Sequence, residues 1–347
     1  DFGLKGVSIA QLDEWQRRFD FVDAYPMTKF QQGVLLLRSN TYISQLVLEM
    51  QDLDRRRFAQ AWQLLVDQHD IFRSVFVGLD SLNPHQLVLR QAQLRWQDED
   101  LSDLSPQQQD QHILAQRQQD RAAGANPQQA PLMRFTTWDL GGGRCKVLWT
   151  YHHCLIDGWS VPLLFEQLSK LYQGLGQGED LSVQRGEPYG RYVRWLQQND
   201  HQAAFDYWRR SLNGVAAIAQ DSDANEADLE AVIKELEVRF DQQRSAALVE
   251  AARQHQVTLS LLVQAAWALM LGLHGSSEQV VFGTVLSGRS IDLAAVDRIV
   301  GPFINTIPVK MDLPGEMDLG DWLRQLLNQA ADRDEYGYLP LSDIQHA

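Results

Sequence analysis

The sequence predicts an α/β or α+β fold in two lobes, and three observations carry that expectation. Strand-like and helix-like stretches are interspersed through both halves of the 347 residues, the pattern of mixed layers rather than separate all-α and all-β parts. Two apolar stretches, Met133 to Trp138 and Cys145 to His152, are joined through Gly141-Gly142-Gly143 and followed by a helical pattern; they read as a hairpin and a helix. The stretch Gln173 to Pro188, with four glycines, one proline and few large apolar residues, reads as a linker near residue 180. At about 100–200 residues per domain the length suits two lobes. Their junction would form a cleft, a common place for ligands.

The elements follow in order. Ser8 to Arg18 predicts a short helix: Ser8 is an N-cap, and Gln11 completes a capping box before Leu12 and Trp15. Asp13 and Glu14 lie near its start, where the helix dipole favours negative charge. Tyr25-Pro26 breaks the chain, because the residue before proline disfavours helix. A helix resumes near Thr28 and carries Phe30 to Leu37. Gln45 to Met50 reads as a strand, and Arg56 to His69 as a helix with Phe58, Trp62, Leu65 and Val66 on one face. Leu87 to Trp96 alternates loosely and reads as one strand, and the Gln-rich Pro106 to Ala122 as a solvated helix. The helix after the hairpin should run from Ser160 to Tyr172. Beyond the linker come helices from Tyr189 to Leu212, a strand at Ile233 to Phe240, and helices at Gln243–His255 and Leu259–Leu273. Strands at Val280–Leu286 and Phe303–Met311 and a helix at Leu319–Arg333 complete the series.

Composition excludes several classes. Lys and Arg total 31 against 45 Asp and Glu, a net charge of −14. That opposes a broad nucleic-acid or anionic-membrane surface, which needs a basic face. With only Cys145 and Cys154, neither a disulfide scaffold nor a multi-cysteine zinc module can form. Both cysteines are expected to be small buried hydrophobes. Gln254 to Ser277 has no Asp, Glu, Lys or Arg, but its strongly apolar part, Leu259 to Leu273, is interrupted by Ser260 and Gln264. That is short of the ~20 residues that span a bilayer and predicts a buried core helix. The chain begins at Asp1 with no signal-like apolar run, so the true N-terminus is expected elsewhere.

The most informative stretch is Tyr151-His152-His153-Cys154-Leu155-Ile156-Asp157-Gly158-Trp159-Ser160. Adjacent strand residues face opposite sides, so His152 and His153 should act separately, one toward the core and one toward a cleft. An imidazole in a cleft can take a proton near neutral pH. Asp157 could hold local geometry, and Gly158 exposes an N–H that could meet a developing oxyanion. Splayed histidines without a third and fourth ligand at usual spacing make a metal site the weaker reading.

This segment, His-His-x-x-x-Asp-Gly-Trp-Ser, resembles the signature of condensation domains from nonribosomal peptide synthetases. Five other stretches resemble the family's motifs in the family's order: Tyr25 to Gly33, His69 to Phe76, Tyr189 to Trp195, Val300 to Thr306, and Tyr338 to Gln345. A lone His-x-x-x-Asp would be weak; six ordered matches over nearly the whole chain are strong. The resemblance implies an α+β sandwich of two chloramphenicol acetyltransferase-like lobes forming a V with a central channel. It divides the chain into residues 1–20, a linker from a preceding carrier domain; 21–180, the N-terminal lobe; and 181–347, a C-terminal lobe. Two departures stand out. Ser74 occupies a place where the family often has Thr. The family also continues beyond Ile344-Gln345, so the C-terminal lobe is expected to be incomplete here.

The implied activity is amide-bond formation. An upstream carrier's acyl or peptidyl thioester is attacked by the α-amine of a downstream aminoacyl thioester. Both are delivered on phosphopantetheine arms of peptidyl carrier domains, with an adenylation domain adjacent. No cofactor bound by the domain itself, no metal, no nucleic acid and no membrane are implied, and the setting is cytoplasmic. His153 is expected to contact the attacking amine, as general base or as a positioning group. Gly158 is expected either to donate its N–H to the oxyanion or to serve the backbone turn. His152 is expected to be structural, Asp157 to be an ion-pair member with Arg289 as its partner, and Asn305 to line the channel. Trp159 and Ser160 are expected to pack and to cap the helix. Leu155-Ile156 before Asp157, and Phe303 to Val309, look closer to members whose donor ends in an L-residue. The competing class is a non-catalytic condensation-like platform that recruits a tailoring enzyme, a reading that usually comes with eroded motifs. An epimerase of the same superfamily differs just after the Asp. Plant-type acyltransferases carry a late Asp-Phe-Gly-Trp that this chain lacks.

Overall fold

A computed structural model describes residues 4, 6–36, 40–179, 181, 185–215 and 237–346. The chain forms two compact units: Asp1–Asn199 with Ile291–Ile304, and Asp200–Ser290 with Asn305–Ala347.

The first unit holds α1 (Ile9–Arg18), β1 (Phe21–Pro26), α2 (Lys29–Leu36), β2 (Ile43–Gln51), α3 (Arg55–Gln68), β3 (Ser74–Val77), β4 (His85–Leu89), β5 (Arg95–Asp100), α4 (Pro106–Ala122), β6 (Met133–Gly141), β7 (Arg144–His152), α5 (Ser160–Gly176) and α6 (Gly190–Gln198). Strands order as β2-β7-β6-β5 in one sheet and β1-β4-β3 in another. β6 and β7 form the expected hairpin, with Gly141, Gly142 and Gly143 all at positive φ. Gly143 has φ +77°, a conformation that favours glycine, and a Cβ there would also displace the Asp52 carboxylate.

α3 and α5 pack together. Their apolar stripes, Phe58, Trp62, Leu65 and Val66 on α3 and Leu164, Leu168 and Leu171 on α5, are buried in one core at helical spacing. Trp62 anchors that core, with its ring 4.8 Å from both Phe135 and Trp149.

The second unit holds α7 (Gln202–Ser211), α8 (Gln242–Gln254), α9 (Leu259–Gly275), β8 (Gln279–Leu286), β9 (Asn305–Asp312), α10 (Leu319–Glu335) and α11 (Leu341–Gln345), with β8 and β9 antiparallel.

Several expectations change. The division falls after Asn199 rather than near 180, because Tyr189, Tyr192 and Val193 are buried in the same core as Ile299, Val300 and Phe303. The expected linker shortens as α5 continues to Gly176. Residues 1–20, expected as a linker, contain α1, whose Ser8–Gln11 capping box forms as read. Trp15 of α1 is buried with Ala24, Val75, Val77 and Leu87.

Leu87 to Trp96 is two strands, β4 and β5, which belong to different sheets. Tyr25-Pro26 does end a helix-free stretch, but as part of β1. The helices expected over Tyr189 to Leu212 are α6 and α7. The expected strand at Ile233 to Phe240 lies outside the described residues up to 236, and residues 237–240 carry no regular structure. α9 is buried on one face only: Leu261, Ala265 and Ala268 are inside, while Val263, Trp267, Met270 and Leu273 are exposed. No single described helix is long and apolar enough to cross a membrane; α8 and α9 pass the test of length and composition only as a pair bent by 97°.

Candidate active site

The site residues lie where β7 ends and α5 begins. β7 pairs with β2, with Ile43 opposite His152. His153, one step past the strand, donates its backbone N–H to the Tyr42 carbonyl at 2.9 Å. The two imidazoles part as strand alternation requires. His152 turns inward, and its Nδ1 accepts the Cys154 N–H at 3.1 Å, which places its own proton on Nε2. His153 is half-buried, and its Nδ1 has no hydrogen-bond partner among the described residues. Its ring meets Phe30 of α2 edge-on, with centroids 5.7 Å apart.

Asp157 is 2% exposed. Its Oδ1 accepts the Ser160 N–H at 3.0 Å and the Ser160 hydroxyl at 2.9 Å; its Oδ2 accepts the Phe303 N–H at 2.9 Å. Ser160 Oγ in turn lies 3.1 Å from the Gly301 carbonyl and accepts the Gly301 N–H at 3.2 Å. The Tyr189 hydroxyl donates to the Pro302 carbonyl at 2.7 Å. A Cβ on Gly301 would lie 2.2 Å from the Tyr189 ring, so only glycine permits that approach.

Three of the quoted stretches therefore converge: the His-His-x-x-x-Asp-Gly turn, Tyr189 to Trp195, and Val300 to Thr306. The carboxylate of Asp157 bonds both Ser160 in its own turn and Phe303 in the Ile291–Ile304 segment.

Gly158 differs from Gly301. Nothing lies within 4 Å of where its Cβ would be, and its φ is not positive. Neither crowding nor backbone conformation among the described residues demands glycine there. Trp159 is half exposed.

In the second unit, Asn305 donates both amide hydrogens, to the Gly337 carbonyl at 2.8 Å and the Leu339 carbonyl at 2.7 Å. This fastens the Tyr338-Leu339 loop to the start of β9. Arg289 is buried in the loop after β8, and its backbone N–H meets Ser287 Oγ at 3.4 Å.

Sequence reasoning left Ser160, Phe303 and Gly301 without these bonding roles. A serine three residues after a buried aspartate is the pattern that could have signalled the first.

Burial has electrostatic consequences. It pushes the Cys154 thiol well above its ordinary range, which makes it inert. Burial, and then the neighbouring His153, lower His152 to about 4. Between pH 6.5 and 4 the unfolded chain binds a proton that the folded imidazole refuses. Stability therefore rises with pH across that window and levels off above it. Acidifying from pH 7 to 5 is expected to cost about 2 kcal/mol through His152 alone. Urea unfolding at the two pH values, for wild type and His152→Gln, checks this: the pH difference should shrink by that amount in the variant, and an unchanged difference would refute it.

A family model for the condensation domain matches residues 22–347. Linear gramicidin synthase of Brevibacillus parabrevis supplies two similar relatives. One of its subunits is 36% identical over 99% of this chain and 5% of that protein. Another is 38% identical over 92% of this chain and 6% of that protein. The chain thus spans about a twentieth of the length of these curated relatives.

Among solved structures, the condensation domain from the Monacolin K polyketide synthase aligns with a TM-score of 0.75 at 16% identity, covering 94% of this chain and 76% of that one. A holo four-domain nonribosomal peptide synthetase aligns with a TM-score of 0.74 at 19% identity, covering 94% of this chain and 25% of that one. The structural likeness places the fold in the class of chloramphenicol acetyltransferase-like proteins. Within that class, the chain belongs to the condensation domain family.

Proposed function

We propose that this domain joins a carrier-bound acyl or peptidyl donor, ending in an L-residue, to the α-amine of a carrier-bound aminoacyl acceptor. The observation that carries the reading is the division of labour in one turn. Asp157 holds the Ser160 N–H and hydroxyl and the Phe303 N–H, while His153 keeps an Nδ1 with no described partner and Gly158 stands in open space.

An uncommitted imidazole suits contact with an amine. The His153 ring accepts a hydrogen bond from the acceptor's α-amine and orients it toward the donor carbonyl carbon. The C–N bond forms, the carbonyl π pair moves to oxygen, and the surplus amine proton passes to the imidazole. The oxyanion is met by the Gly158 N–H, close to the N-terminus of α5, where the helix dipole favours negative charge. Collapse restores the carbonyl and breaks the C–S bond. The phosphopantetheine thiolate leaves and takes up the proton. Open space at Gly158 supports this role, since a side chain there would stand beside the N–H.

The upstream and downstream carriers are the partners this chemistry requires, within a cytoplasmic synthetase whose adenylation domain loads the acceptor. A single-turnover assay with both loaded carriers tests the reading. Amide product is expected, and faster from the L-donor than from its D-epimer. A faster D-donor would overturn the donor assignment. No product across varied donors would favour the docking-platform reading.

A further inference from the structure

The family reading gives no task to two fully buried glutamines, Gln31 on α2 and Gln86 on β4. Their carboxamides face each other in a reciprocal pair. Gln31 Nε2 donates to Gln86 Oε1 at 3.2 Å, and Gln86 Nε2 donates to Gln31 Oε1 at 2.9 Å. The second hydrogen on each amide is also used. Gln31 donates to the Cys154 carbonyl at 3.3 Å, and Gln86 to the Pro26 carbonyl at 3.3 Å. Gln31 Oε1 further accepts the Thr28 N–H at 3.0 Å.

The bonding fixes the orientation of the Gln31 amide. Turned over, it would set oxygen against the Cys154 carbonyl and NH₂ against the Thr28 N–H, like against like on both sides. A buried network with every group satisfied is rigid.

The residue held at the far end follows His153 directly. The His153 backbone N–H is fastened to Tyr42 on one side, and the next carbonyl is held by Gln31 on the other. Phe30, the neighbour of Gln31, stands edge-on to the His153 ring. One helix therefore touches both the ring of the residue read as meeting the amine and the backbone next to it.

We infer that Gln31, braced by Gln86 and acting with Phe30, is a positioning residue that aims the His153 imidazole. This rests on the reading of His153 given above. Gln31 touches no reacting atom; it sets the backbone beside the ring.

The test uses the full chain with Gln31→Met, similar in length but unable to make the amide bonds, and Phe30→Leu, which removes only the edge contact. Two readouts are taken: single-turnover rate per folded molecule at varied carrier concentration, and the ¹⁵N imidazole signals of labelled histidines, with His153 assigned by comparison with His153→Ala. Gln31→Met is expected to lower the maximal rate about tenfold to a hundredfold, with half-saturation unchanged. The His153 signal should shift or broaden, and that of His112 should not. Phe30→Leu should do the same to a smaller degree, and it decides the matter if Gln31→Met does not fold. A loss of melting temperature with an unchanged rate per folded molecule and an unmoved His153 signal would overturn the inference. A lost rate with an unmoved His153 signal would overturn it equally. Should His153→Ala itself keep full activity, the reading of His153 fails, and the imidazole signal alone still decides whether Gln31 orders that ring.

Discussion

His153→Ala lowers the single-turnover rate of amide formation by about 10²–10⁴-fold, the range a positioned proton-accepting side chain contributes. The fold should scarcely notice. The ring is half-buried, its Nδ1 holds no described partner, and its ring contact is the edge of Phe30. Losing such a contact costs about 1 kcal/mol, a drop in melting temperature of no more than about 4 °C for a unit of this size. The assay therefore separates chemistry from folding: rate falls by orders of magnitude while the melting curve stays near wild type. Equal rates in the two proteins would remove His153 from the reaction.

Asp157→Ala has the opposite signature. At 2% exposure the carboxylate accepts hydrogen bonds from the Ser160 N–H and hydroxyl and from the Phe303 N–H, and its loss takes the Oδ2 acceptor from that buried Phe303 N–H. Hydrogen bonds to a charged group are worth about 1.5–3 kcal/mol each, and an orphaned buried donor adds its desolvation cost. The first unit is expected to lose about 3–5 kcal/mol in chemical denaturation. Asp157→Asn keeps an oxygen for Ser160 but turns NH₂ toward the Phe303 N–H, so its loss should fall near half of that. Stability within about 1 kcal/mol of wild type for Asp157→Ala would refute the structural role.

Much of this was legible in the sequence, for identifiable reasons. Periodicity found α3 to within a residue, because it buries a continuous face, and the Gln-rich composition found the solvated α4. The triple glycine found the β6–β7 hairpin, because three successive positive φ values need it. The capping box at Ser8 is a local code and was read locally. What escaped was long-range. β4 and β5 run close in sequence yet join different sheets, and nothing in the local pattern says so. The half-exposed α9 shows that an apolar composition does not state how many faces are covered.

The site divides in the same way. That the two histidines part follows from strand alternation, whereas which of them turns inward came only with the family resemblance. The bonds from Asp157 and Ser160 to residues more than a hundred positions away could not be seen in either segment by itself. Nor could the Gln31–Gln86 pair, whose members are 55 positions apart.

The return of the chain to the first unit at Ile291 has a consequence for the order in which the protein is made. Ile299, Val300 and Phe303 are 0–1% exposed inside the core of the first unit, and Phe303 supplies the N–H that Asp157 holds. A ribosome that has just finished Asn199 has therefore released an unfinished domain, with an open seam beside Tyr189 and a buried-type carboxylate awaiting its donor. About a hundred further residues must emerge before that seam closes. The His152–Ser160 turn is set late in synthesis although its own residues are made early, and the second unit begins to fold while the first is still incomplete.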